Sequence, residues 1–296
     1  MSTSEPDIPT PPSPRLPEGA ALPVGRSLVM GILNVTPDSF SDGGRFTALD
    51  SALTRAHHMI DQGADIIDIG GESTRPNSTR ISAEEEWRRV GEVIRHLAAD
   101  LNRDPAGAGV ALSIDTLHAS TARKACEAGV AIVNDVSGGR WDPDMIATVA
   151  AGGAAFVVQH YRALPGSKGE HFDYGTNLVG ELILRIGAQC DDAIAGGLDE
   201  DQLIIDPGLG FSLTNEQCVE VVNSLDAFTE IGRPVLLGAS RKRFLTNYSE
   251  SHPDIATVEI TDLAVRAGVW ALRVHEVAAN AAVVRGSVNS HKKEGR

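Results

Sequence analysis

The alternation of apolar runs with helical patterns predicts an α/β protein folded as a closed (β/α)8 TIM barrel, one domain over residues 26–290. Three observations carry that reading. Eight short apolar runs are each followed by a stretch of helical periodicity. The 296 residues, 42 % of them apolar, match a single barrel with a sizeable core. No G-x-G-x-x-G follows the first run, which weighs against a doubly wound open sheet.

Taken in order, the strands are expected at 28–33, 66–69, 110–114, 131–133, 155–158, 203–205, 235–237 and 269–274. The helices are expected at about 48–62, 82–101, 118–128, 142–151, 176–196, 214–230, 254–267 and 276–288. Ser82 with Glu85 three residues on forms the start of a capping box, and Gly129 after Ala128 is a natural helix stop. The longest connection, 160–176, follows the fifth strand, where a barrel keeps site loops. Residues 1–25 are rich in Pro, Ser and Thr and are expected to be a disordered tail. Residues 291–296 read as a second, solvated tail.

Lys plus Arg number 26 against 40 Asp plus Glu, a net charge of −14. A field of that sign repels nucleic acid and anionic lipid, so neither is an expected partner. An anionic substrate would need a local cluster of cations. Cys126, Cys190 and Cys218 are odd in number and lack C-x-x-C spacing, which argues against a disulfide framework or a structural zinc. No apolar stretch approaches a membrane span, and the N-terminus lacks the basic-then-apolar order of a secretory signal. A cytoplasmic enzyme is the expectation.

In a barrel the C-terminal ends of all eight strands meet at one mouth. The first run ends at Asn34, whose amide oxygen suits a hard cation or a substrate. The second ends in Gly70-Gly71-Glu72-Ser73-Thr74-Arg75-Pro76, the third in Asp115-Thr116 and the fourth in Asn134-Asp135. Gln159-His160-Tyr161-Arg162, Asp206-Pro207-Gly208-Leu209-Gly210-Phe211 and Gly238-Ala239-Ser240-Arg241-Lys242-Arg243-Phe244 follow the next three. The eighth carries Arg273, then His275-Glu276. Each alone has a plain explanation: Asp115 and Asp206 as helix caps, Asn134 as a turn residue, Arg75 as a surface charge, His160 or His275 as structural histidines. Together they exceed what a scaffold needs.

The set divides by chemistry. Asp115, Asn134 and Asp206 suit the N–H-rich edge of a heterocycle such as a pterin or purine, which a carboxylate accepts as it accepts a guanidinium fork. Arg75, Lys242, Arg273 and His275 suit phosphate. The expected ligand is a heterocycle joined to a phosphate or diphosphate.

Leu33-Asn34-Val35-Thr36-Pro37-Asp38-Ser39-Phe40-Ser41-Asp42-Gly43-Gly44 resembles the first signature of bacterial dihydropteroate synthases, and Asp68-Ile69-Gly70-Gly71-Glu72-Ser73-Thr74-Arg75-Pro76 resembles the second. Ser113-Ile114-Asp115-Thr116, Asn134 to Gly139, Asp206 to Phe211, Gly238 to Phe244 and Arg273 to Val277 match the remaining motifs in order, over about residues 28–288. The resemblance implies condensation of (7,8-dihydropterin-6-yl)methyl diphosphate with 4-aminobenzoate to 7,8-dihydropteroate and diphosphate. It implies that Asp115, Asn134, Asp206 and Lys242 hold the pterin. Asn34 would bind the Mg ion that accompanies the diphosphate. Arg273 and His275 would bind the diphosphate with Thr74 beside it. Phe40, Thr74, Pro76 and Ser240 would line the aminobenzoate pocket, where sulfonamides bind in this family. Arg75, Phe211 and Val274 complete the substrate-binding set. Asp115, Lys242, Arg273 and His275 form the catalytic set. Loops 36–44 and 73–76 would close over the site, and family members pair as homodimers through barrel helices.

The residue types agree with that chemistry. Diphosphate leaves well when Mg, Arg and His offset its charge. Asp115 would stabilise the pterin-methyl cation left behind, and no protein nucleophile is evident. Two departures stand out: Tyr161 occupies a position where many members carry Met, and 257–262 lacks the usual small-residue pattern. A methyltetrahydrofolate methyltransferase-type barrel would not need Ser240-Arg241-Lys242 or Arg273-Val274-His275. A pterin-binding paralogue without turnover should have lost motif residues.

Overall fold

The computed structural model describes residues 8–35, 44–73, 79–103 and 109–294. Its strands are β1 (Leu28–Asn34), β2 (Ile66–Gly70), β3 (Ala111–Asp115), β4 (Ile132–Asp135), β5 (Ala155–Gln159), β6 (Leu203–Asp206), β7 (Leu236–Leu237) and β8 (Ala271–Val274). All paired strands are parallel, in the order β6-β5-β4-β3-β2-β1-β8-β7. A parallel bridge between Ile205 and Val235 brings β6 to β7 and closes the barrel.

The interleaved helices are α1 (Gly44–Asp61), α2 (Ala83–Arg103), α3 (Ala119–Glu127), α4 (Met145–Gly152), α5 (Leu178–Ala195), α6 (Asn215–Val222), α7 (Leu225–Thr229), α8 (Leu245–Tyr248), α9 (Pro253–Arg266) and α10 (Val277–Glu294). Ser82 caps α2 as expected, accepting from the Glu85 N–H at 3.3 Å. Three expectations are corrected. The helix expected over 214–230 is two helices, because the chain leaves helical geometry at Ser224 (φ −125°, ψ 27°) after Asn223 ends the first. Ser and Asn favour such breaks by offering the backbone local alternatives. The short helix α8 stands in the connection between β7 and α9. Helix α10 continues through residue 294, so 291–294 are helical backbone rather than a loose tail.

Period-two alternation places the core in two shells. Outward-facing residues such as Val29, Ile67, Leu112, Val133, Phe156 and Leu272 pack against the helices. Inward-facing residues such as Met30, Ile66, Ile132, Val157, Ile204 and Leu236 fill the lower barrel.

Part of the N-terminal region is also corrected. Residues 8–25 pack across the bottom of the barrel, with Leu16, Ala20 and Leu22 against the interior cluster. Arg15 donates its backbone N–H to the Asp201 carbonyl at 2.7 Å, and its side chain pairs with Asp199 and Asp201. Prolines that restrict the free chain lower the entropy lost when it docks. A few apolar anchors then suffice.

Candidate active site

Along the inward face the interior residues change from apolar to polar as the strands approach their C-terminal ends. The lower residues Met30, Ile66, Ala111, Ile132 and Ala271 give way to Asn34, Asp68, Ser113, Asp115, Asn134 and Arg273 above. Register aligns these groups around the mouth: Asn34 pairs with Gly70, Gly70 with Asp115, and Asp115 with Asn134. A Cβ on Gly70 would lie 3.8 Å from Asp115 Oδ2 and 3.9 Å from Asn34 Oδ1, so both oxygens flank the bare backbone there.

Arg273 is the cation at the centre of this arc. Its Nε donates to Asp68 Oδ2 and its Nη2 to Asp115 Oδ2, both at 2.6 Å. Asp68 also accepts from Ser113 Oγ at 2.7 Å and from Asn134 Nδ2 at 3.1 Å. Burial pushes the Asp115 carboxyl up, to about 7. Arg273 pulls it down, and the charges of Asp68, Glu86 and Asp135 push it further up. Burial opposes the Arg273 charge, but Asp68 and Asp115 overcome this and hold the guanidinium firmly protonated.

The opposite wall comes from β6 and the connections after β6 and β7. Asp206 accepts from the Gly208 N–H at 2.7 Å. Gly208 adopts φ +77°, and a Cβ there would meet the His160 carbonyl at 2.8 Å, so only glycine fits the turn. Lys242 donates to the Leu209 carbonyl, and its Nζ lies 5.2 Å from the Phe211 ring centre. Burial pushes the Asp206 carboxyl up and the Lys242 ammonium down, while each one's charge favours the charged form of the other. Arg241, at φ +58°, is clamped to Asp254 of α9 by two hydrogen bonds at 2.9 and 3.2 Å. That turn precedes Lys242 and fixes where its side chain enters.

Ser240 joins the last two strand ends. Its Oγ accepts from the His275 backbone N–H at 3.2 Å and lies 3.0 Å from His275 Nδ1. Arg55 of α1 donates to the His275 carbonyl at 3.0 Å.

The expected residues Asn34, Asp115, Asn134, Asp206, Phe211, Ser240, Lys242, Arg273 and His275 thus stand at strand ends or in the connections that follow them. Val274 is corrected: its side chain is buried in the outer, helix-facing shell, as alternation from Arg273 requires. Phe40, Thr74, Arg75 and Pro76 lie outside the described residues. His160 is structural, in a buried site where desolvation pushes its imidazole down to about 3, with Nε2 3.3 Å from the Tyr174 hydroxyl. Half-buried Tyr161 donates its N–H to Gln189 Oε1 at 3.2 Å. Among the described residues no cluster of three or more His, Cys, Asp or Glu side chains could hold a metal, and no helix is long and apolar enough to cross a membrane.

Asp68 lies within a motif, but the sequence alone assigns it no role. The signal was a charge on the inward face of an otherwise apolar strand, since a buried carboxylate needs partners. The same holds for Gln159 at the end of β5. It donates to the Val136 carbonyl at 3.0 Å and accepts on its own carbonyl from Gln189 at 2.8 Å, tying β5 to the β4 connection.

A pterin binding enzyme family model matches residues 30–275. The dihydropteroate synthase of Mycobacterium leprae is 41% identical over 261 residues, covering 85% of this chain and 89% of that protein. The dihydropteroate synthase of Xanthomonas albilineans, solved with 4-aminobenzoic acid, superimposes with a TM-score of 0.79 at 35% identity, over 90% of this chain and 93% of that one. The enzyme from Anaplasma phagocytophilum, solved with 6-hydroxymethylpterin-monophosphate, gives 0.79 at 32% identity over 90% and 99%. The chain belongs to the pterin-binding enzymes and, among them, to the dihydropteroate synthases.

Proposed function

We propose that this chain condenses (7,8-dihydropterin-6-yl)methyl diphosphate with 4-aminobenzoate, forming 7,8-dihydropteroate and releasing diphosphate. The observation that carries the reading is one mouth with carboxylates and an amide on two walls and Arg273, His275 and Lys242 among them. Carboxylates facing inward suit the N–H donors of a pterin. Cations beside them suit an anion that a protein of net charge −14 would otherwise repel.

The reaction then runs on positioning and charge. Asp206 and Asn134 hold the ring edge, with Lys242 against it. The bond from the methylene carbon to the diphosphate oxygen breaks with its electron pair on oxygen. Arg273 and the His275 ring meet the charge that develops there. The Asp115 carboxylate stabilises the electron-poor methylene carbon. The amine of 4-aminobenzoate attacks that carbon, and the proton it then carries in excess passes to the released diphosphate or to water. Ser240 keeps His275 oriented. The three cysteines are free, and burial pushes their thiols up, so none is offered as a nucleophile.

Mg is the proposed cofactor, with Asn34 as its protein ligand. The donor chemistry fits: an exposed amide oxygen at a strand end beside Asp115 is a hard ligand. Mg typically takes one or two protein oxygens and completes its shell with phosphate and water. When bound it would neutralise charge on the leaving diphosphate.

A homodimer is supported by Ile255 and Leu263, both exposed on α9. Ile255→Glu should shift sedimentation toward the monomer. Cytoplasmic residence is supported by the three free thiols. The deciding assay incubates the protein with the pterin diphosphate, 4-aminobenzoate and Mg and looks for dihydropteroate. Pterin binding without product would favour a binding paralogue instead.

A further inference from the structure

Asp68 sits on the inward face of β2, two residues below Gly70, and its side chain is fully buried. Among the described residues its three hydrogen-bond partners are all donors from other strands: Ser113 Oγ on β3, Asn134 Nδ2 on β4 and Arg273 Nε on β8. An ionised carboxylate has about four acceptor sites and no donor, so it can hold all three at once. An amide of the same shape would turn an N–H group toward one of them.

Two orientations follow from these contacts. Asn134 turns its Nδ2 toward Asp68, so the arm its amide presents to a ligand is the acceptor Oδ1. One N–H each of Arg273 Nε and Nη2 is taken by Asp68 and Asp115, so Nη1 and the second N–H of Nη2 form the edge left to face an anion at the mouth. Neither orientation is dictated by strand geometry alone, because a terminal amide can flip and a guanidinium can rotate.

We propose that Asp68 is a positioning residue that sets both groups from beneath. It makes Asn134 a reader of a ring N–H, and it makes Arg273 an anion clamp with its outer edge exposed to diphosphate. The inference rests on the pterin reading above and extends it to a residue the substrates do not touch. Because the two jobs fall on different halves of the substrate, loss of Asp68 should weaken both halves separately.

The test uses the full chain and two probes, pterin alone and inorganic diphosphate with Mg, each titrated well below the melting temperature. Asp68→Asn should bind pterin about 10-fold more weakly, the scale of one or two misdirected buried hydrogen bonds. It should also bind diphosphate more weakly. In an Asn134→Ala background the same change should cost less than about 3-fold for pterin, because coupled neighbours are non-additive. Full additivity overturns the claim that Asp68 acts through Asn134. A folded Asp68→Asn protein with wild-type affinity for both probes shows a purely structural role and overturns the inference. Should Asp68→Asn fail to fold, Ser113→Ala removes only one anchor of the carboxylate and should weaken pterin by about 3-fold. Unchanged affinity there overturns it as well. Wild-type protein that binds no pterin overturns the pterin reading and this inference together. Wild-type binding matched by the variants overturns the inference alone.

Discussion

Arg273 reaches Asp115 at 2.6 Å with Nη2 while Asp68 holds its Nε at the same distance, so one guanidinium links β8 to β2 and β3 at the mouth of the barrel. A lysine carries a single compact ammonium and cannot span both carboxylates. Arg273→Lys therefore leaves one buried acid without its partner and removes the guanidinium edge left for an anion. The expected loss in kcat/KM is about 100-fold, typical of deleting one preorganised donor at a site of developing charge. Steady-state kinetics checks this, with a thermal melt alongside to show the variant is folded. Near-wild-type turnover by the lysine variant would refute the bridge as a working part.

Asp115 gives the site a pH dependence with a definite sign. Burial pushes its carboxyl up to about 7, against the pull of Arg273. The proposed role needs the carboxylate, so kcat/KM should fall below about pH 7 along an acid limb. In the complex, an electron-poor substrate carbon favours the charged form, so the limb in kcat should lie at lower pH. Stability runs the other way. The folded pKa lies above the ordinary 3.8, so the stability Asp115 contributes is complete below pH 3.8 and is lost as pH rises to about 7. Asp135, pushed up to about 6 by burial, acts in the same direction. The share due to Asp115 is the difference between the pH profiles of melting for wild type and Asp115→Asn. Identical profiles would remove Asp115 from the account.

The barrel was legible because its strands are buried on both faces and read as continuous apolar runs. The mouth was legible because polar groups interrupted those runs at their C-terminal ends. Asp68 was harder to read, since its importance depends on three donors that arrive from 45, 66 and 205 residues away. Val274 was assigned to the substrate-binding set through its neighbours in a motif, whereas alternation along β8 turns it outward. The N-terminal segment was misread because composition measures whether a chain can build a core of its own. Leu16, Ala20 and Leu22 use one already built.

Asn34 is the proposed metal ligand, and its exposed position at the end of β1 allows it to be removed without a cavity. Asn34→Ala should leave the melting temperature nearly unchanged and raise the Mg concentration for half-maximal activity by about 10-fold, the loss of one ligand-strength contact. A Mg titration at saturating substrates measures it. The mutation spares the pterin wall, so affinity for pterin alone should stay within about 2-fold, below the scale of a single lost hydrogen bond. An unaltered Mg titration would withdraw the assignment.

Deleting residues 1–25 separates the two ends of the barrel. The segment lies at the bottom, under the interior cluster, while the chemistry sits at the top. The Arg15 pairs with Asp199 and Asp201 are largely exposed and contribute little. The apolar contacts of Leu16, Ala20 and Leu22 matter more, on the order of 2–4 kcal/mol when partial burial is allowed for. For a chain of this size that corresponds to a fall in melting temperature of roughly 4–16 °C. Activity at 25 °C should be retained, because no residue of the mouth is disturbed. A melting temperature equal to that of the intact chain would show that the docked segment adds nothing to the core. Lost activity with an intact fold would show that the bottom of the barrel communicates with its mouth.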